Sequence, residues 1–465
     1  MKVRTKTKIG YAVGNLGYGT VAQTVGGFIM FFGTSVLGIS GTLVGIAISI
    51  AAFWDGISDP IIGYFSDRVK SRTFGKRLGF MFVATFGIAI SNILLWVIPT
   101  DIPDAAKFVW LLISLLSLET FNTMFATPYV ALGIDIAPDY NDQASLQGYR
   151  TVFFIVGMIL PSLLMFALMP KGDGGQLQQM GYINIAYINS VLAVICGAIC
   201  ILGTLKIVQR DFDRREKVKS SGGFFKIFYN FFYTLKKRNY GAVIIGYSVA
   251  LISAAFLTAV GLHLFTYAYH FSSRQIPLLM TALFVGAIVS QPVWVFMAKR
   301  TDKKPALNTA LISVIIGIML TAVTFIFRDF FQTNTLFWLV FPCIFICGFG
   351  TGALYSLPIS MLADVISVEC AETGEDKAAT YSSYMTLSYN IANAFALLII
   401  GILLDLIKFN AAEPVQALSV QSGLGAIVFL GCAVSLAVSM LMFSRYNIKR
   451  STVLKSQLKN NKKAS

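Results

Sequence analysis

The sequence predicts an all-α membrane protein of twelve transmembrane helices in two six-helix bundles, and three observations predict it. The chain is 56% hydrophobic and only 13% charged over 465 residues, whereas a water-soluble chain carries about 25% charged residues. Long uncharged runs such as 188–205 do not match the short alternating segments of an outer-membrane barrel, so bundled helices remain. The longest charged interval, 206–239, divides the apolar stretches six and six.

A span needs roughly 20 apolar residues. Such stretches fall at 9–37, 43–64, 78–98, 108–134, 145–169, 183–205, 242–269, 276–297, 307–326, 336–365, 381–407 and 424–443. The first follows Lys2, Arg4, Lys6 and Lys8 and has no small-residue cleavage site, so it reads as a retained helix rather than a signal peptide. The second and third are separated by Arg68, Lys70, Arg72, Lys76 and Arg77, the sixth and seventh by a run from Lys206 to Arg238, and the eighth and ninth by Lys299, Arg300, Lys303 and Lys304. Opposite connections are poor in base, with none in 38–42 and Arg274 alone between the seventh and eighth spans. The positive-inside rule therefore puts the basic side and both termini in the cytoplasm of an inner, cytoplasmic membrane. The net charge of +15 follows from this topology and from attraction to anionic membrane lipid. It is spread over loops rather than gathered on one face, which excludes nucleic-acid binding.

Four regions follow: an N-terminal six-helix bundle at 1–205, a cytoplasmic linker at 206–238, a C-terminal six-helix bundle at 239–446 and a basic cytoplasmic tail at 447–465. Within the linker, Phe224, Phe225, Ile227, Phe228, Phe231, Phe232 and Leu235 among lysines read as a short interfacial helix. The halves echo each other. Asp59-Pro60 corresponds to Gln291-Pro292, and Pro128, Leu132 and Asp135 correspond to Pro358, Leu362 and Asp364. Such internal symmetry predicts a ligand path between two bundles near the midplane. Five of the six cysteines lie in apolar runs; the pairs Cys196/Cys200 and Cys343/Cys347 have no third ligand nearby and read as packing. His263 and His270 read the same way.

Asp55 and Asp59 are the most informative residues. An ionised carboxylate in a span costs about 2.5–3.5 kcal/mol on insertion scales, and here two occur one helical turn apart on one face. Two such carboxylates can share a desolvated monovalent cation or a proton. A structural ion pair or a helix end wetted from the cytoplasm is the alternative, and the lack of Lys or Arg in the span favours the cation. Glu119 in the fourth span falls at a similar depth, either completing that site or facing a substrate. Arg150 is the deepest cation of the first half, open either to substrate and gate contact or to pairing with Asp135, Asp139 or Asp142. Tyr18, Trp54, Tyr129, Tyr355, Tyr381, Tyr384 and Tyr389 lie in spans near small polar residues and suit a polyhydroxylated ligand, or else helix packing. No Ser/His/Asp set, metal cluster or phosphate loop lies on the spans, so the chain does not read as an enzyme.

Trp54-Asp55-Gly56-Ile57-Ser58-Asp59-Pro60, with Gly63, Asp67, Arg72 and Gly75-Lys76-Arg77, resembles the second span and following loop of the glycoside-pentoside-hexuronide:cation symporters, a branch of the major facilitator superfamily. Gly10-Tyr11, Gly14, Gly17, the stretch Pro128 to Leu132, Arg150 and Ala363-Asp364-Val365 fit the same pattern. The resemblance implies that Asp55 and Asp59 hold the coupling cation, Na+ or H+, and that Asp67, Arg72, Lys76 and Arg77 form a cytoplasmic gate closed by charge pairs. It implies inward symport of a small polar solute, a sugar or glycoside, by a monomer that needs no cofactor. Tyr18, Glu119, Tyr129, Arg150, Tyr355, Tyr384 and Tyr389 are the candidate substrate contacts. Where the family's type member carries sugar-binding acids, this chain has Gly19 and Ala126, and near the position of an eleventh-span lysine it has Tyr389 and Asn390. These departures keep two other readings open: an amphipathic, lipid-like cargo on the same fold, and a membrane sensor that binds solute without moving it.

Overall fold

A computed structural model describes residues 4–68, 75, 77–137, 140–172, 174–210, 231–373, 378–413, 415–449 and 451–453, almost all of them helical. The first half comprises α1 (Thr5–Phe31), which runs on into a π-helical turn at Phe32–Val36, then α2 (Gly41–Arg68), α3 (Leu78–Trp96), α4 (Asp104–Ile136), α5 (Tyr140–Leu168) and α6 (Gln179–Arg210). The second half comprises α7 (Arg238–Tyr267), α8 (Gln275–Val289), α9 (Gln291–Thr301), α10 (Lys303–Ile326), α11 (Thr333–Thr351), α12 (Leu357–Thr373), α13 (Ala378–Leu406) and α14 (Leu418–Ser444). Among the described residues, 11 helical stretches are long and apolar enough to cross a membrane. With 27 residues α1 is long enough as well, but Lys6, Lys8, Asn15, Thr20, Gln23 and Thr24 dilute its apolar character. The chain is an all-helical integral membrane protein, as the composition predicts.

Two spans are broken where the sequence reads as continuous. The eighth is α8 and α9 joined at Ser290; the tenth is α11, a 3-10 turn at Gly352–Tyr355, and α12. Pro292 and Pro358 cannot donate to the carbonyls four residues back, which ends an α-helix locally. Proline alone does not decide the outcome, because Pro128, Pro161 and Pro342 sit inside continuous helices. Ahead of Pro358 the chain also carries Gly348, Gly350 and Gly352, which weaken the helix further. The Gln291 amide donates to the Gly352 carbonyl at 2.6 Å, so one break supplies a donor for the other.

Close packing explains the cysteines. A Cβ on Gly14 of α1 would stand 2.9 Å from Cys200 Sγ, and one on Gly17 would stand 2.8 Å from Cys196 Cβ. Small residues on α1 thus admit the thiols of α6 at backbone-approach distance. At the start of the π turn, Phe32 joins Trp96 and Tyr182 in an aromatic core, with Trp96 and Tyr182 stacked at 5.5 Å.

The chain divides into two compact units: Met1–Val218 with Phe265–Leu278 and Leu397–Val420, and Lys219–Leu264 with Leu279–Ala396 and Gln421–Ser465. Two short pieces of the second half therefore group with the first, a division that differs from the split at the charged interval. Hydrogen bonds within the first unit account for it: Gln176 donates to the Phe271 carbonyl at 3.3 Å, and Ser273 donates to the Pro170 carbonyl at 2.8 Å. Of the expected interfacial helix, Phe224, Phe225, Ile227 and Phe228 lie outside the described residues. Residues 231–235 are helical; Phe231 packs edge-on against Tyr384 with centroids 5.5 Å apart, while Phe232 and Tyr233 are exposed.

Candidate functional site

The site is built on α2 and α4, which pack along each other in the first unit. Asp55 and Asp59 lie one turn apart on α2, and Thr123 and Thr127 lie one turn apart on α4. Thr123 Oγ1 donates to Asp55 Oδ1 at 2.9 Å, and Thr127 Oγ1 donates to Asp59 Oδ1 at 2.9 Å. The same register brings Ser58 Oγ to 3.0 Å from Thr123 Oγ1 and lets Trp54 Nε1 donate to Thr120 Oγ1 at 2.8 Å. Two carboxylates and four hydroxyls therefore stand on facing helices. A hydroxyl that gives its proton to a carboxylate keeps lone pairs for a hard cation.

Glu119 lies one turn before Thr123 on the same helix and feels the charge of Asp55 first and Asp59 second. Its Oε2 accepts from Asn122 Nδ2 at 3.4 Å. The three membrane acids of the first half thus lie within electrostatic reach of one another, and carboxylates so placed favour an incoming cation or proton.

Arg150 and Tyr18 border the cluster. The Tyr18 hydroxyl lies within electrostatic reach of Arg150 and Asp59. The Arg150 guanidinium stands 5.5 Å from the Tyr129 ring centroid, and its Nη1 donates to Gln147 Oε1 at 3.3 Å. Two of the acids weighed as its structural partners are engaged elsewhere: Asp135 with Arg77 at 3.1 Å and Asp142 with Lys8 at 2.8 Å. Asp139 lies outside the described residues.

The tyrosines divide. Tyr129 is fully buried and stacks on Tyr11 with centroids 4.4 Å apart, each hydroxyl donating to the other's backbone carbonyl. It holds α4 against α1 and exposes no surface to a solute. Tyr384 is likewise buried, beneath Phe231. In this structure both side chains are packed against neighbouring helices. Tyr355, on the 3-10 turn of the tenth span, is 40% exposed. Tyr389 is half-buried, 6.3 Å from Tyr247. These last two belong to the second unit, while Tyr18, Glu119 and Arg150 belong to the first.

Of the expected gate residues, Arg77 is described through its pair with Asp135; Arg72, Lys76 and the Asp67 side chain lie outside the described residues. The second half repeats the pair. Lys303, just after α9, donates to Asp364 Oδ2 of α12 at 2.6 Å. The two acids that correspond in the sequence, Asp135 and Asp364, thus each meet a base at the start of the preceding span. Sequence reasoning missed Thr123, Thr127 and Ser58. Their signal was available as a second i, i+4 polar pair on a neighbouring span.

Helix layout and site together define a secondary transporter of the major facilitator type. A solved bacterial homologue of the human lysosomal transporter Spinster has the same fold, with a TM-score of 0.66, 13% identity and 97% of each chain covered. Residues 10–450 match the family described as MFS/sugar transport protein, and the chain belongs to that family. It is 25% identical to an uncharacterised symporter of Synechocystis over 92% of this chain and 91% of that one. It is 21% identical to the sodium-dependent lysophosphatidylcholine symporter 1 of Xenopus tropicalis over 100% of this chain and 90% of that one.

Proposed function

We propose that the protein is a cation-coupled symporter of the cytoplasmic membrane, both termini inside, that carries a small polar solute such as a sugar or glycoside by alternating access. The carrying observation is the facing ladder of Asp55 and Asp59 with Thr123 and Thr127, which offers oxygen to a cation and little else. Na+ or H+ at Asp55 and Asp59 would neutralise the cluster that includes Glu119. Occupancy by cation then favours solute binding, and solute raises cation affinity by the same factor. Tyr18, Glu119 and Arg150 are the proposed solute contacts of the first unit, and Tyr355 and Tyr389 those of the second. Asp67, Arg72, Lys76 and Arg77 are the proposed cytoplasmic gate. A monomer suffices, with no cofactor.

An amphipathic cargo is the second reading. Phe53, Ile57, Ile61 and Phe65 form an exposed apolar stripe on α2 beside the acids, and the Xenopus tropicalis relative is named for lysophosphatidylcholine. Uptake into proteoliposomes of labelled glycosides and of a labelled lysolipid, with and without a Na+ gradient, separates the readings. Asp55→Asn and Asp59→Asn are each expected to abolish gradient-driven accumulation while leaving solute exchange. Concentrative uptake by both variants would refute the cation site.

A further inference from the structure

The chain does not stop at α14. Lys304 Nζ donates to the carbonyls of Ser444 at 2.6 Å and Tyr446 at 2.9 Å, satisfying groups a helix end leaves open. Arg238 Nε donates to the Arg445 carbonyl at 3.2 Å, and the Asn447 amide donates to Asn239 Oδ1 at 2.9 Å. Tyr446 is 2% exposed, with its hydroxyl 3.4 Å from Asp364 Oδ2, the carboxylate already paired with Lys303. Burial and then the Asp364 carboxylate push that hydroxyl above the ordinary tyrosine range, so it remains a proton donor. Thr452 and Val453 then turn back on Lys449. Val453, 8% exposed, forms part of the wall of a cavity of about 360 Å³ that Lys299, Asp302, Lys303, Ser356 and Asp364 also line.

Two further observations mark this cavity as more than a surface dimple. Ser356 Oγ is buried without a hydrogen-bond partner, a costly state for a hydroxyl. Asp302 holds φ at 103°, a strained value for a residue with a Cβ. In the first half the loop after the second span is also buttressed from the end of its last span: a Cβ on Gly75 would meet Val208 Cγ1 at 2.3 Å.

We infer that residues 445–449 and 451–453 form a strap that closes this cavity and clamps the Lys303–Asp364 pair, so that releasing the strap opens the basic face of the second unit to water. The strap ties together the starts of α7 and α10, the end of α14 and, through Tyr446 and Asp364, the middle of α12. It goes beyond the transport reading and does not depend on which solute is carried.

Thiol labelling of the full chain in detergent tests it without a transport assay. Cys196, Cys200, Cys343, Cys347 and Cys432 are buried and Cys370 is partly accessible, so the background is Cys370→Ser, with Ser360→Cys, at a further residue of the cavity wall, as reporter. Val453→Asp places a carboxylate against Asp302 and Asp364, and the reporter is expected to react with a maleimide about tenfold faster than with the strap intact. A chain ending at Asn447 is the second variant, keeping the Lys304 and Tyr446 contacts and removing residues 448–465, with Val453 of the cavity wall among them; the same acceleration is expected. Unchanged labelling in both variants would overturn the strap, whatever the outcome of solute uptake.

Discussion

Thr123 and Thr127 each hold one carboxylate of α2, and 68 residues separate donor from acceptor in both bonds. A hydrogen bond to a charged group contributes ~1.5–3 kcal/mol. Thr127→Val and Thr123→Val are therefore each expected to raise the half-saturating concentration of the coupling cation by about 10- to 150-fold, read from solute uptake against cation concentration. An unchanged value in both would remove the threonines from the site. The acids were legible in the sequence because a charge in a span is costly enough to demand a reason. The threonines were not, since a hydroxyl can satisfy itself on its own helix, as Thr20, Thr24 and Thr34 do on theirs. Only the α2–α4 register distinguishes the two uses. Tyr129 and Tyr384 show the converse limit: an aromatic ring in a span does not announce whether it faces a partner or a cavity.

Among elements, α2 has a second task at its other end. Asp405, near the end of α13, accepts from the Gly41 amide at 2.7 Å through Oδ1 and from the Thr42 amide at 2.8 Å through Oδ2, capping α2 with a negative charge. A Cβ on Gly401 would come within 2.2 Å of the Gly41 carbonyl oxygen, and one on Gly45 within 2.9 Å of that of Leu397. The two helices meet backbone to backbone, as small residues permit in membranes. Asp405→Ala leaves two amides without their acceptor, worth ~0.5–2 kcal/mol for a lost cap, whereas Asp405→Asn keeps one acceptor and loses less. Gly401→Leu must part the helices. The expected order of melting-temperature loss in detergent is Gly401→Leu, then Asp405→Ala, then Asp405→Asn; equal values for all three would mean the seam does not form. The order of the spans was readable from apolar run length. The breaks in the eighth and tenth spans were not, because Pro128 and Pro358 occupy matching positions with opposite results, and neighbouring glycines make the difference.

At the level of the whole molecule the two halves carry the same charge plan. The connection after the second span supplies Arg77 to Asp135, and the one after the eighth supplies Lys303 to Asp364. Near the start of the first span Lys8 meets Asp142, and just before the seventh Lys237 meets Glu369, which also accepts from the Tyr381 hydroxyl at 2.5 Å. The repeat is legible in sequence only at Asp135 and Asp364, since its other members differ in spacing and residue type. Burial ranks the pairs. Side chains of Lys8 and Asp142 are 11% and 10% exposed, those of Lys303 and Asp364 27% and 13%, while Lys237 is 40% exposed. Removing one partner of a buried pair leaves an uncompensated charge, ~3–5 kcal/mol, whereas an exposed pair contributes ~0–1 kcal/mol. Lys8→Met is thus expected to cost most in thermal stability, Lys303→Met less and Lys237→Met least, with the Asp364→Asn/Lys303→Met double variant recovering part of either single loss. Desolvation lowers the Lys237 pKa, but the Glu369 and Tyr381 hydrogen bonds outweigh it and the net direction is up. Its contribution is therefore whole below the ordinary lysine value of ~10.4 and fades only as pH rises through the elevated one. Lys237→Met should accordingly lower the melting temperature by the same small amount at pH 6 and pH 9; a loss that shrank from pH 6 to pH 9 would show that the pair titrates earlier than its surroundings dictate.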